Sequence, residues 1–143
     1  MDRLTAEARS ANMRAVRRRD TAPEMAVRRL LYSAGYRYRL HAKKLPGAPD
    51  IILQRYRVAV FVHGCFWHSH NCPRGRRPTS RSEFWNPKLD KNLERDRRSQ
   101  AALRAAGWQV AVIWECRIPQ GCRELLRSLN RARRRQATLS GRH

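Results

Sequence analysis

The sequence predicts a single α/β domain in which a mixed β-sheet is flanked by helices. The chain has 143 residues, enough to bury one core of its own but not two. Helical and strand patterns follow each other in the order α, β, β, β, α, β, α. The run VAVFV is apolar at every position, as in a central strand covered on both faces. One helical segment lies between the third and fourth strands, which predicts a crossover connection.

The first part of the chain predicts an arm, a helix and three strands. Residues 1–20 favour helix and are basic throughout, so this arm suits a phosphate backbone. TAPEMAVRRLLYSAG predicts a helix, because Thr21 and Glu24 have capping-box spacing and Gly35 provides a stop. YRYRLH alternates as a half-buried strand does. The loop AKKLPGAP then leads to Asp50, the short strand IIL and the central strand.

The second part predicts a long loop, a helix, a strand and a final helix. No periodicity runs from Asn71 to about Lys88, and a loop of this length is usually functional or disordered. PKLDKNLERDRRSQAALRAAG predicts a helix that ends at Gly107, and WQVAVIWEC predicts a buried strand. RELLRSLNRARRR predicts a helix that frays into a basic tail. We therefore divide the chain into the arm 1–20, a folded domain 21–130 and a disordered tail 131–143.

Charge and composition favour a nucleic-acid partner and exclude a membrane or secreted protein. The 32 Lys and Arg residues outnumber the 11 Asp and Glu residues, giving a net charge of +21. Positive charge on this scale binds polyphosphates by releasing counterions, and it repels itself where no such partner is bound. No stretch approaches ~20 consecutive apolar residues, and MDRLTAEARS lacks the apolar core of a secretion signal. We therefore expect a cytoplasmic protein.

The segment FVHGCFWHSHNC follows the central strand and concentrates metal-ligating residue types. Cys65, His70 and Cys72 form the spacing C-x4-H-x-C, and thiolate and imidazole donors suit tetrahedral Zn²⁺. Cys116 and Cys122 are the candidates for a fourth ligand, and Cys116 is favoured if the fourth strand lies beside the third. Four protein ligands would make the zinc structural. The alternative is a set of ordinary buried thiols.

His63 and His68 remain in this segment once the zinc ligands are assigned. Asp50 starts one predicted strand and His63 ends its neighbour, so we expect the two to face each other across a short hairpin. A carboxylate and one or two imidazoles could hold Mg²⁺ and move a proton during attack of water on a phosphodiester. On the residues alone, satisfied loop histidines and a turn aspartate after Pro49 are equally good interpretations. The capping box alone accounts for Glu24.

Two Phe-Trp pairs, Phe66–Trp67 and Phe84–Trp85, bracket the long loop. Large rings among arginines suit insertion between base steps, and a mismatched step costs least to open. The alternative is packing over the zinc site, and one pair could serve each purpose.

Six motifs carry a resemblance to a known family. NMRAVRRRDTAPE, LPGAPD, VFVHGCFWHSHNC, TSRSEFW, KNLERDRR and GWQVAVIWEC together resemble the very short patch repair (Vsr) mismatch endonuclease family, in order from about Ser10 to Cys116. The resemblance implies a restriction-endonuclease-like fold, with 21–130 as the nuclease domain. It also implies an enzyme that nicks one strand of duplex DNA at T:G mismatches arising from deaminated 5-methylcytosine and so initiates very short patch repair.

The resemblance implies roles for five active-site positions. It makes Asp50 the Mg²⁺-binding carboxylate, with the backbone carbonyl of Val62 as a second ligand, and His68 the base that activates water. His63 becomes a supporting catalytic group, and Glu24 lies near the active site. Val62 stands where the family often has Thr, a change that a backbone ligand should tolerate. Histidine takes the place of the lysine that this fold normally uses.

Two further sets of residues follow from the resemblance. A structural Zn²⁺ is assigned to Cys65, His70, Cys72 and Cys116. Contacts with DNA are assigned to Phe66, Trp67 and Trp85, which intercalate beside the mismatch, and to Met13, which probes the minor groove from the arm. The implied cofactors are therefore a catalytic Mg²⁺ and a structural Zn²⁺.

The implied partner is double-stranded DNA that carries a T:G mismatch, bound by a monomer in the bacterial cytoplasm and associated with the nucleoid through DNA. Association with a mismatch-repair protein or a cytosine methyltransferase stays open. Two other functions also fit the residues: a zinc-stabilised, structure-specific DNA-binding module without catalysis, and a nuclease that cuts matched DNA.

Overall fold

The computed structural model describes residues 20–140 and contains the predicted order of elements. The helices and strands are α1 (Ala22–Ser33), β1 (Arg39–Leu40), β2 (Ile51–Leu53), β3 (Val58–His63), α2 (Ser82–Ala105), β4 (Gln109–Trp114) and α3 (Ile118–Ser140). Short 3-10 turns span Gln54–Tyr56, Pro73–Gly75 and Glu115–Arg117. The N-terminal arm, including Met13, lies outside the described residues.

The four strands form one mixed sheet in the order β1-β2-β3-β4. β1 and β2 pair antiparallel, as do β2 and β3, whereas β3 and β4 are parallel and joined by the crossover helix α2. Because β3 and β4 are parallel, both end at the same edge of the sheet, where His63 pairs with Trp114. This edge is the one from which the chain enters the cysteine- and histidine-rich loop.

Both faces of β3 are covered, as its continuous apolar run predicts. On one face, α1 and α3 contribute Val27, Leu31, Leu125 and Leu129 to a cluster with Val58 and Val60. On the other face, Leu103 of α2 packs with Ile52, Ala59 and Phe61. Residues Val58 to Phe61 are all buried, so β3 is the central strand of the core.

Helix α1 begins as the capping box predicts but buries two charged side chains. The Glu24 N–H donates to Thr21 Oγ1 over 3.3 Å, and Pro23 lies in the first turn. The helix ends before Gly35, whose φ of 91° is in the left-handed region. The buried stripe of α1 consists of Glu24, Val27, Arg28 and Leu31. A glutamate and an arginine on a core-facing stripe need polar partners, and these partners belong to the candidate active site.

Three elements differ from the sequence-based boundaries. The strand predicted over YRYRLH is only Arg39–Leu40, and both residues are exposed. Helix α2 begins at Ser82, so Pro87 lies inside the helix and the preceding loop is shorter than predicted. Helix α3 continues to Ser140 through the segment predicted as a disordered tail. Within residues 20–140, no helix is both long and apolar enough to cross a bilayer.

Candidate active site and metal centre

Asp50 lies just before β2 and is tied to the end of β3. The Val62 N–H donates to Asp50 Oδ2 over 2.7 Å. The register pairs Ile51 with Val60, so Asp50 falls two positions short of His63 along β3. The expectation that Asp50 and His63 face each other across the ladder is therefore wrong. The carboxylate instead contacts the backbone of the residue that precedes His63.

Asp50 is mostly buried beside a second carboxylate, Glu24. Burial, reinforced by the charge and side chain of Glu24, raises the pKa of Asp50 to about 6. The hydrogen bond from the Val62 N–H and the charge of His41 lower the pKa of Asp50 and partly offset this rise. Two adjacent carboxylates with restricted access to water are costly to keep ionised, and a bound cation would relieve that cost.

Glu24 is held by a buried arginine as well as by the helix cap. Its carboxylate accepts from the Asp20 N–H over 2.8 Å and pairs with the Arg28 guanidinium. Arg28 also donates to Asp20 Oδ1 over 2.6 Å and lies 3.2 Å from His41 Nε2. The capping box thus explains only the start of the helix. The side chain of Glu24 belongs to a charged network that connects α1 to Asp50.

Three side chains meet beyond Val62, at the edge where β3 ends. The rings of His63 and His68 stack in parallel with centroids 3.7 Å apart. His68 Nδ1 lies 2.5 Å from Asp96 Oδ2, on the inward side of α2. His63 is buried, and its Nδ1 has no hydrogen-bond partner within the described residues. Burial, with a smaller contribution from the neighbouring His68, lowers the pKa of His63 to about 3, so His63 is neutral at physiological pH.

Cys65, His70, Cys72 and Cys116 come together at the same edge of the sheet. One ligand atom from each residue lies within 4.8 Å of the others. Cys65 follows β3 and Cys116 follows β4, so the parallel pairing of these strands brings them together. Cys122 is buried in the core cluster formed with α1 and α3 and is separate from this group. The structure thus brings Cys116, and not Cys122, to the other three residues.

A tight backbone conformation gathers three of these residues within one loop. The His70 N–H donates to the Cys65 carbonyl over 3.0 Å, and the Cys72 N–H donates to the His70 carbonyl over 2.9 Å. A Cβ on Gly75 would lie 1.9 Å from the His70 carbonyl oxygen, so only glycine fits there. Glu115 accepts from the Cys65 N–H over 3.1 Å and ties the loop to the end of β4.

The two Phe-Trp pairs form one aromatic cluster beside this loop. Trp85 contacts Phe66, Trp67 and Phe84 edge to face, with centroids 5.0 to 5.9 Å apart. Trp85 is only 4% exposed, whereas Phe84 is 41% exposed and Phe66 and Trp67 are partly buried. In this conformation Trp85 supports the other three rings and is not itself available to intercalate.

Comparison with known proteins identifies the family. Residues 1–74 match the sequence model described as DNA mismatch endonuclease Vsr. The DNA mismatch endonuclease Vsr of Escherichia coli K12 is 46% identical over 110 residues, which cover 77% of this chain and 70% of that protein. The chain belongs to the Vsr DNA mismatch endonuclease family.

Two other relatives of this Vsr-family chain are named as type II nicking enzymes. V.XorIIP of Xanthomonas oryzae pv. oryzae is 54% identical over 117 residues, covering 82% of this chain and 86% of the relative. V.NmeAIP of Neisseria meningitidis is 42% identical over 132 residues, covering 91% and 94%. The Vsr-family chain is accordingly a DNA endonuclease.

Sequence reasoning missed Asp96 and Arg28 at this Vsr-family site. Asp96 lies seven residues after Leu89 and seven before Leu103, both of which are buried. A charged residue on the apolar stripe of a helix is a signal that could have identified it. Arg28 has the same signal, because it follows the buried Val27 and precedes the buried Leu31.

Proposed function

We propose that this enzyme nicks one strand of duplex DNA at T:G mismatches with Mg²⁺ as its catalytic cofactor, initiating very short patch repair. One observation carries the proposal: a paired carboxylate group and a carboxylate-oriented histidine converge on the end of β3. Asp50, which lies beside Glu24, accepts a hydrogen bond from the Val62 N–H. His68, which contacts Asp96, stacks its ring on the next residue, His63.

Asp50 and the backbone carbonyl of Val62 would hold the Mg²⁺, and Glu24 would lie beside it. Hard oxygen donors are the ligands that Mg²⁺ prefers. The raised pKa of Asp50 supports this assignment, because a cation favours the ionised carboxylate that burial disfavours. When bound, the ion would supply Lewis-acid stabilisation of charge on the phosphate.

His68 is the proposed base that takes a proton from the attacking water. Its Nδ1 faces Asp96, so an Nδ1–H donated to that carboxylate leaves Nε2 as the acceptor. Asp96 is therefore a positioning residue that sets the tautomer and the ring orientation. His63 supports catalysis by presenting a neutral ring against which His68 stacks, without competing for the proton.

Cys65, His70, Cys72 and Cys116 would hold a structural Zn²⁺. Three sulfurs and one imidazole are a donor set typical of closed tetrahedral zinc sites. Burial raises the pKa of the Cys65 thiol to about 12, and a divalent cation would favour its ionised form. A zinc ion here would fix the loop that carries His68. We also infer that the mixed sheet, with Asp50 and the end of β3 at its catalytic edge, is restriction-endonuclease-like.

Phe66, Trp67 and Trp85 are the proposed intercalating group, joined by Met13 of the arm. Phe66 and Trp67 are partly exposed and lie directly before His68. The intercalating rings and the proposed catalytic base therefore come from one loop. Lys88 Nζ lies 5.4 Å from the Trp67 ring and adds positive charge beside it. Since Trp85 is buried, it would take part as the support of the other rings or by moving when DNA binds.

The test compares a supercoiled plasmid that carries one T:G pair with the same plasmid carrying T:A, at fixed salt. We expect nicking of the T:G plasmid with Mg²⁺ and little with T:A, because the electrostatic part of binding is common to both. Asp50→Ala and His68→Ala should bind but not nick. Equal nicking of T:A would indicate an enzyme for matched DNA. Full activity of either variant would contradict the assigned chemistry.

A further inference from the structure

Helix α3 carries its arginines to the end of the sheet opposite the proposed active site. Ile113, near the end of β4, packs against Gly121, whereas Gln109, at its beginning, donates to Ser128 Oγ over 2.8 Å. The helix therefore runs antiparallel to β4. At a rise of 1.5 Å per residue, Arg131 lies roughly 20 Å from the start of α3, away from the edge where β3 and β4 end.

The far part of α3 is fixed to the β2–β3 connection. Arg55 Nε donates to Gln136 Oε1 over 3.1 Å, and Gln136 Nε2 donates back to the Arg55 carbonyl over 3.0 Å. This reciprocal pair holds the helix in place well beyond Leu129, its last core residue. The arginines of this region therefore lie on a helix that is hydrogen-bonded to the β2–β3 connection.

Four exposed arginines of this region form what we name the distal arginine surface: Arg127, Arg131, Arg134 and Arg135. After Glu124 the chain has six arginines and no Asp or Glu. Among residues 20–140, no ion pair involves any of these four side chains. By contrast, carboxylates are frequent at the proposed active edge, where Asp50, Asp96 and Glu115 lie.

We propose that the distal arginine surface binds a second segment of duplex DNA while the active edge holds the first. The surface offers guanidinium groups that have no ion-pair partner within residues 20–140, and such groups neutralise phosphates with release of counterions. It lacks the apolar stripe that an interfacial membrane helix needs, because the exposed positions between Arg127 and Arg135 are arginines. Two sites at opposite ends of one domain would let the enzyme bridge neighbouring DNA segments and transfer between them.

The experiment measures bridging and nicking separately. An immobilised matched duplex is incubated with enzyme already saturated with a short T:G duplex in Ca²⁺, and recovery of the labelled short duplex reports bridging. The test variant replaces Arg127, Arg131, Arg134 and Arg135 with Gln. The matched control replaces four exposed arginines of α2 with Gln, namely Arg95, Arg97, Arg98 and Arg104. Circular dichroism checks that both variants keep their helices.

We expect the α3 variant to lose most bridging while the α2 control keeps it. The salt slope of log K for the second duplex should fall by about 3 to 4 in the α3 variant, since each phosphate contact contributes ~0.9. Single-turnover nicking of the short duplex should stay within about twofold of the wild type. Equal bridging by the two variants would overturn the proposal. So would a parallel loss of nicking and bridging in the α3 variant, which would show one continuous surface.

Discussion

Replacing Asp50 with Asn should stabilise the Mg²⁺-free protein at alkaline pH while abolishing nicking. The folded state raises the pKa of Asp50 from 3.8 to about 6, so it holds this proton more tightly than the unfolded chain does. The wild type therefore loses stability as pH rises from about 4 to 6. An Asn side chain mimics the protonated form and keeps an oxygen for the Val62 N–H.

The size of the effect follows from that shift. A shift of roughly two pKa units, at about 1.36 kcal/mol each, amounts to about 3 kcal/mol at pH 8. We therefore expect Asp50→Asn and wild type to have similar free energies of unfolding at pH 4. At pH 8 the variant should be more stable by up to about 3 kcal/mol. Added Mg²⁺ should stabilise the wild type and leave the variant unchanged.

Urea unfolding across pH 4 to 8, in zinc-loaded buffer stripped of Mg²⁺, measures this difference. Asp90→Asn is the matched control, because Asp90 is exposed and pairs with Arg77 at the surface, where ion pairs contribute little. The control should differ from wild type by less than about 1 kcal/mol at every pH. If Asp50→Asn were no more stable than wild type at pH 8, the burial argument for the carboxylate pair would be refuted.

Three further substitutions test other parts of the site. Asp96→Asn should lower the single-turnover nicking rate by about 10- to 100-fold with unchanged duplex affinity, because its histidine partner loses the orienting carboxylate; an unchanged rate would remove Asp96 from the mechanism. Gly75→Ala should reduce zinc content and melting temperature, because the new Cβ would meet the His70 carbonyl at 1.9 Å; wild-type values for both would contradict the loop geometry. Arg28→Met should cost about 3–5 kcal/mol in denaturant unfolding by leaving Glu24 buried without its cation; a loss below about 1 kcal/mol would mean that the network is solvated.

The order and adjacency of the elements could be predicted because they depend on strong local signals. VAVFV is apolar throughout, and a crossover helix makes β3 and β4 parallel neighbours, which brings Cys116 to Cys65. Element edges were less predictable. Pro87 looks like a first-turn residue, but α2 starts at Ser82. Trp85 and Leu89 lie one turn apart and are both buried, and this burial offsets the hydrogen bond that Pro87 cannot donate.

The pairing of side chains depends on register and could not be predicted. In the register of β2 against β3, Asp50 lies two positions away from His63 and contacts Val62 instead. No sequence pattern determines the register of a strand of only three residues. The stacking of His63 on His68 likewise depends on a loop whose conformation includes a left-handed Ser69, with a φ of 51°. The sequence identifies Asp50, His63 and His68 as candidates but not Asp96 or Arg28, and the tertiary structure determines which of these side chains are in contact.

Two acidic side chains of this site occupy helix positions that face the core. Glu24 occupies the core-facing stripe of α1, and Asp96 occupies the inward stripe of α2, at positions where leucine would bury apolar area. The two helices cover opposite faces of the sheet, so their polar side chains can converge only where β3 ends and the core opens. Each acid therefore occupies a position where an apolar side chain would add more stability. Asp50→Asn removes a charge from the carboxylate pair that Asp50 forms with Glu24 and should stabilise the protein, whereas Arg28→Met removes the cation that offsets the charge of Glu24 and should destabilise it.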